Sequence, residues 1–281
     1  MKRSSLAALF CLFFSVSSFA QEQDKEVFAK YRSTKIGIGP VEIYDSYLSP
    51  LTYKGTDIGL SYETIRKTSL WDGKVYSQSL ANLNLSVSSN PTNTAKNRTV
   101  LLDYNFGLFY RFNPLNNLQL LLGSQTDFLL GGILNSRNGN NPATAKFHLG
   151  LNLSGIVSYR FKIGEQNLFL RYQLSFPFVG ALFSPQYGQS YYEIGLIDSK
   201  SIFHFSSLHN YRTMKNLFSV EMPLGETIFH IAYQNRIYQT DVNDLQTKMV
   251  TNTFYVGFSK DIFSVPGSEF KKNNIKTIFG E

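Results

Sequence analysis

One cysteine, one tryptophan, 17% charged residues and no long apolar run mark this 281-residue chain by what it has little of. The cysteine is Cys11, so a chain beginning at Gln21 has none. That excludes disulfides, thiolate catalysis and cysteine-ligated zinc together. An average soluble domain carries about 25% charged residues, so the surface here is unusually apolar. Beyond the N-terminus no stretch approaches the roughly 18 apolar residues that cross a bilayer as a helix. No basic stripe is present either, and nucleic acid is excluded as a partner. What is abundant is aromatic: 24 Phe and 17 Tyr. A chain so aromatic and so weakly charged is not disordered. Two classes remain, a secreted β-protein and a membrane β-barrel.

The opening MKRSSLAALFCLFFSVSSFA reads as a secretory signal. Lys2 and Arg3 form its basic end, Leu6–Val16 its apolar stretch, and Ser18-Phe19-Ala20 a small-x-small cleavage site. Cleavage after Ala20 is expected, lowering the net charge from +7 to +5. Phe10 before Cys11, and the short stretch in front of it, argue against a lipoprotein.

A period of two runs through long segments. Val100, Leu102, Tyr104, Phe106, Leu108, Tyr110 and Phe112 alternate with Leu101, Asp103, Asn105, Gly107, Phe109 and Arg111. Odd positions of Phe147–Phe161 are apolar apart from Gly155, and Leu168–Phe178 repeats the pattern. Alternate strand residues point to opposite faces. Soluble strands are mostly about five or six residues long, whereas a tilted membrane strand needs about 9–11. Aromatics gather towards segment ends, as interfacial girdles require. The fold class is therefore all-β, a transmembrane up-and-down antiparallel β-barrel of about ten strands.

The expected strands are Thr34–Asp45, Thr56–Thr68, Lys74–Ser88, Thr99–Phe112, Leu118–Leu134, Ala145–Lys162, Leu168–Val179, Tyr211–Leu224, Thr227–Gln239 and Lys248–Phe263. Short turns at 70–73, 113–117, 163–167 and 225–226 alternate with longer connections at 90–98, 135–144, 180–210 and 240–247, and one near 49–55. Short periplasmic turns and longer extracellular loops are the barrel pattern. The domain reading is a signal peptide at 1–20, a periplasmic segment at 21–33, the barrel at 34–263 and a periplasmic tail at 264–281. Loop 180–210 could hide a further hairpin, which would make twelve strands.

Three stretches, Asp45–Gly55, Phe183–Ile194 and Val242–Leu245 continuing to Tyr255–Phe258, resemble an uncharacterised family of outer-membrane proteins from Bacteroidetes, a domain of unknown function. The resemblance spans roughly Ser46 to Phe263. It implies the outer membrane of a Gram-negative cell, and no activity, ligand or functional residue.

The inward face is expected to carry Glu63, Asp103, Arg111, Arg160, Arg171, Glu221, His230 and Arg236. Opposite charges in a ten-stranded lumen must pair or be hydrated, so a salt-bridged, largely closed interior is expected. A narrow substrate-selective channel is the alternative. Leu151→Arg, on the outer face, should cost more than Asn152→Arg on the inner one.

No metal site or cofactor is read. His148 and His230 are expected in lumenal side-chain networks. His204 and His209 lie near Asp198, Ser206 and Ser207, but a hydrolytic triad is recognised by geometry and not by nearness in sequence. Asp241 and Asp244 could likewise form the acidic pair of a rim protease, and a solvated turn explains them better. The function read is non-enzymatic: a structural, surface-interaction or accessory subunit, with outer-membrane lipid and an envelope complex as partners. A hydrolase of the rim ranks third. Phe183, Tyr187, Tyr191 and Tyr192 are the candidate contact residues, either as a cap on the barrel mouth or as a docking surface.

Overall fold

The computed structural model describes residues 29–139, 141–164, 166–190, 202–224 and 227–263. These form β1 (Ala29–Asp45), β2 (Ser49–Lys67), β3 (Val75–Ser89), β4 (Lys96–Leu115), β5 (Leu118–Asn135), β6 (Ala143–Ile163), β7 (Gln166–Phe183), β8 (Phe203–Ser206), β9 (Tyr211–Leu224), β10 (Thr227–Val242) and β11 (Leu245–Phe263). Every neighbouring pair is antiparallel, and β1 pairs with β11 to close the ring. Ten strands make the wall. No helix occurs among the described residues.

Alternation builds the wall directly. Even residues from Val100 to Leu108 and odd residues from Leu149 to Val157, apart from Gly155, are exposed apolar side chains, while their neighbours are mostly buried. The outside is apolar and the inside polar, the reverse of a soluble protein and the requirement for a wall bathed in lipid.

Several strands run longer than expected, mostly at one end. β2 begins at Ser49 rather than Thr56, and β4 and β6 reach 20 and 21 residues. There the outer face turns polar while pairing continues, as the Lys54–Glu42 ion pair shows. Two loops shrink as a result. The expected connection 240–247 is a two-residue turn, Asn243-Asp244, with φ of 57° and 60°; two positive φ values mark a type I′ hairpin. The β1–β2 connection is likewise only 46–48.

The long loop makes no additional wall strand among the described residues. Instead, β8 pairs with the end of β7 (Gly180↔Ser206 to Phe183↔Phe203), and β9 pairs lower down (Phe169↔Glu221 to Ser175↔Lys215). Between them the stretch 176–179 has no paired neighbour on that side, and Pro177 within it lacks an N–H for a ladder. Opposite lies a turn in which Asn210 and Tyr211 N–H both donate to the Ser207 carbonyl. β8 and β9 are thus one strand interrupted by a turn.

Candidate functional site

The lumen is filled, layer upon layer. At the end that carries the turns, Tyr31, Ile65, Tyr76, Phe109, Leu121 and Ile156 pack into an apolar plug. A second apolar cluster lies near the loop end and includes Val41, Ile43, Leu101, Leu129, Ile133 and Tyr238. Two layers of charge lie between them.

In the lower layer Glu63 accepts from Lys35 (3.3 Å), from Gln78 (2.6 Å) and from the Arg171 guanidinium. Arg171 also faces Glu221 at 3.6 Å, and Glu221 accepts from Tyr31 at 3.1 Å. His230 Nδ1 lies 3.5 Å from Glu221, and its Nε2 meets Ser259 Oγ at 2.7 Å. In the upper layer Lys215 joins Asp127 (2.6 Å) and Asp103 (2.8 Å). Arg236 faces Asp103 at 3.6 Å and donates to Asn84 at 2.6 Å; Asn84 in turn donates to Asp57. Buried charges are tolerated only when paired and hydrogen-bonded in this way.

Two small cavities lie within the packed interior. A cavity of about 20 Å³ lies among Ile43, Asp57, Leu101 and Arg236, and another of about 20 Å³ beneath Tyr47 and Pro185. Each has room for about one water.

Above the upper plug the described part of the long loop is strapped to its neighbours. Tyr47 donates to the Gln189 carbonyl (2.8 Å) from the β1–β2 turn. Asn243, in the β10–β11 turn, donates to the carbonyls of Ser184 (3.3 Å) and Pro185 (3.0 Å). Lys146 ties β6 to β1 through Asp45 at 2.7 Å. Segment 183–190 therefore bridges the β1–β2 and β10–β11 turns.

A family model described as a protein of unknown function matches residues 6–269. The chain belongs to that family, DUF3316. No curated protein matches the chain. Solved structures similar to this DUF3316 barrel include the outer membrane protease OmpT from Escherichia coli, 8% identical with a TM-score of 0.48, covering 87% of this chain and all of that one. The transport unit of the autotransporter AIDA-I from Escherichia coli is 8% identical with a TM-score of 0.44, covering 93% and 98%. An outer membrane channel from Pseudomonas putida F1 is 9% identical with a TM-score of 0.38, covering 86% and 100%. These are likenesses between barrels and say nothing about activity.

The expected lumen residues divide into three groups. Glu63, Arg171, Glu221 and His230 meet in the lower layer, and Asp103 and Arg236 in the upper. Arg160 does not join either and corrects the expectation. It is half-buried at the turn end, where its guanidinium reaches the Asn116 carbonyl at 3.5 Å. β6 continues past the lower plug, so a residue of inward parity there emerges at the rim. Arg111 is also near this end, donating to Tyr76 Oη at 2.7 Å. Phe183 is half-buried against Phe203, Tyr187 is 72% exposed, and Tyr191 and Tyr192 lie outside the described residues. Lys35, Asp45, Asp57, Asp127, Lys146 and Lys215 are buried lumenal charges that the sequence reading missed.

Asp127, His148 and Ser206 stand in the order of an acyl-transfer relay. Asp127 Oδ2 is 3.0 Å from His148 Nδ1, and His148 Nε2 is 3.0 Å from Ser206 Oγ. The surroundings argue for a structural role. All three residues are at most 1% exposed, and neither of the two cavities described above is lined by Ser206 or His148. The carboxylate that would orient the imidazole is already held by Lys215 at 2.6 Å. The imidazole stacks on Tyr211 at 3.9 Å and 12°. It also fits against Gly180, where an added Cβ would come within 2.7 Å of Nε2. His148 thus holds β8 to the wall beside the unpaired stretch of β7. No group of three metal-ligating side chains occurs among the described residues.

Proposed function

We propose that this chain is an outer-membrane barrel that works from its surface and not through its lumen: a non-enzymatic structural, surface-interaction or accessory subunit of the cell envelope. On this reading the leader is removed after Ala20 and the barrel spans the outer membrane of a Gram-negative cell of the Bacteroidetes. The turn end faces the periplasm with both chain termini, and the strapped mouth faces outward. The observation that carries the reading is the filled lumen, in which two apolar plugs enclose two layers of paired charge. An ion or solute would have to break those pairs to pass.

Planar-bilayer recording tests this. The purified barrel should show no steady unitary openings, and neither should Asn243→Ala, which loses the straps to Ser184 and Pro185 while the plugs beneath remain. Steady openings of the unaltered protein would overturn the closed-lumen reading and favour a narrow channel.

A further inference from the structure

On the outer wall, three asparagines stand side by side where lipid-facing apolar residues are the rule. Asn216 of β9 pairs with Asn235 of β10, which pairs with Asn252 of β11. Their amides form a ladder, Asn216 Nδ2 donating to Asn235 Oδ1 (3.3 Å) and Asn235 Nδ2 to Asn252 Oδ1 (2.8 Å). Tyr172 and Tyr233 hydroxyls donate to the Asn216 and Asn252 oxygens at 2.8 and 2.7 Å.

The row lies inside the apolar band. Met214, Ile237 and Val250 flank it towards the loop end, and Phe218, Tyr233 and Phe254 towards the turn end. The next outward charges above are Arg212 and Lys248. At about 3.3 Å per residue and a tilt near 40°, the ladder lies roughly 10 Å below them.

An amide carries two N–H donors and an oxygen that accepts two bonds. Every Oδ1 in the row is occupied, yet each amide keeps at least one N–H with no acceptor among the described residues. Hydrocarbon offers no acceptor, so such donors are costly unless protein supplies one.

We propose that the outer face of β9–β11 is where two copies of this chain meet in the membrane. Copies inserted in the same direction can share a twofold axis only along the membrane normal, which brings rows of equal height face to face. The Asn216 and Asn235 oxygens each have a lone pair left, so one ladder supplies acceptors for the donors of the other. Such an isologous contact needs a self-complementary patch, and an amide row is self-complementary where a row of one charge would not be. The proposal requires a membrane-spanning barrel and is independent of whether the lumen conducts.

Single cysteines at positions 216, 235 and 252, each with Cys11→Ser, test it in native membranes with a short bifunctional maleimide. At least one, Asn235→Cys foremost, should give a covalent dimer, and Leu102→Cys on the far wall should not. No dimer from any of the three, or equal yield at Leu102, overturns the proposal. Light scattering in detergent is the second arm: the triple variant Asn216→Leu, Asn235→Leu, Asn252→Leu should convert the dimer to monomer while keeping heat-modifiable mobility. A folded triple variant that stays dimeric overturns it too. If the triple variant fails to fold, the single cysteines decide. A monomer with lipid bound at the ladder, seen by native mass spectrometry with no cross-link, would assign the face to lipid instead.

Discussion

Replacing Lys215 by methionine will destabilise the barrel by about 3–5 kcal/mol, the cost of leaving buried charge without its partner. Lys215 sits between two fully buried carboxylates, at 2.8 Å from Asp103 and 2.6 Å from Asp127. Without it, Asp103 keeps Arg236 at 3.6 Å and the Asn105 amide, while Asp127 keeps, among the described residues, His148 and the Tyr211 hydroxyl. The variant should unfold at clearly lower urea in lipid or detergent, and its heat-modified band should appear at lower temperature. Adding Asp127→Asn should restore most of the loss, because the uncompensated charge goes with it. A loss under about 1 kcal/mol in the single variant would mean that water hydrates the upper layer, as at an exposed ion pair.

Leu151→Arg should cost about 2–4 kcal/mol, the penalty of an arginine facing lipid near the bilayer midplane. Leu151 is 40% exposed on the outer face, between Leu149 and Leu153, which are equally lipid-facing. The same substitution at Ile163, 64% exposed at the end of β6, should cost only about 0–1 kcal/mol. Equal losses at both positions would place the membrane band elsewhere on the wall. Asn152→Arg, expected from the sequence to cost less than Leu151→Arg, still has a cost of its own in the structure. Asn152 is 1% exposed in a filled lumen, and a side chain so much larger would strain the packing by about 1–3 kcal/mol.

Alternation made the wall legible because one physical rule, lipid outside and packing inside, acts on every residue of a strand. All ten expected wall strands are present, and their faces follow the pattern. The rule weakens beyond the bilayer, where outward residues such as Glu42 and Lys54 meet water. The extra length of β2, β4 and β10 was therefore hidden, although pairing continues there. Inside the barrel, single charges such as Lys215 and Asp127 had the right parity and no local sign of a partner. Their contact joins β9 to β5 across 88 positions of sequence. Inward Leu101 and Leu129 likewise gave no hint that they would combine into a plug. The asparagine ladder needed the register of three strands before Asn216, Asn235 and Asn252 could be seen as one row.

The two plugs also decide which charges sense the ionic strength of the medium. At physiological salt, mobile ions screen charges over about 8 Å, but only where ions can go. The Lys54–Glu42 pair lies on the outside, with its side chains 70% and 52% exposed, and fades as salt is added. The pairs around Glu63 and Lys215 are covered from below by the aromatic rings and aliphatic side chains of the lower plug, and from above by the second plug and the strapped loop. Packed side chains stand between these pairs and the counterions of the medium. This barrel therefore keeps its internal electrostatics in fresh water and in brine alike, as a salt-indifferent core within a salt-sensitive rim.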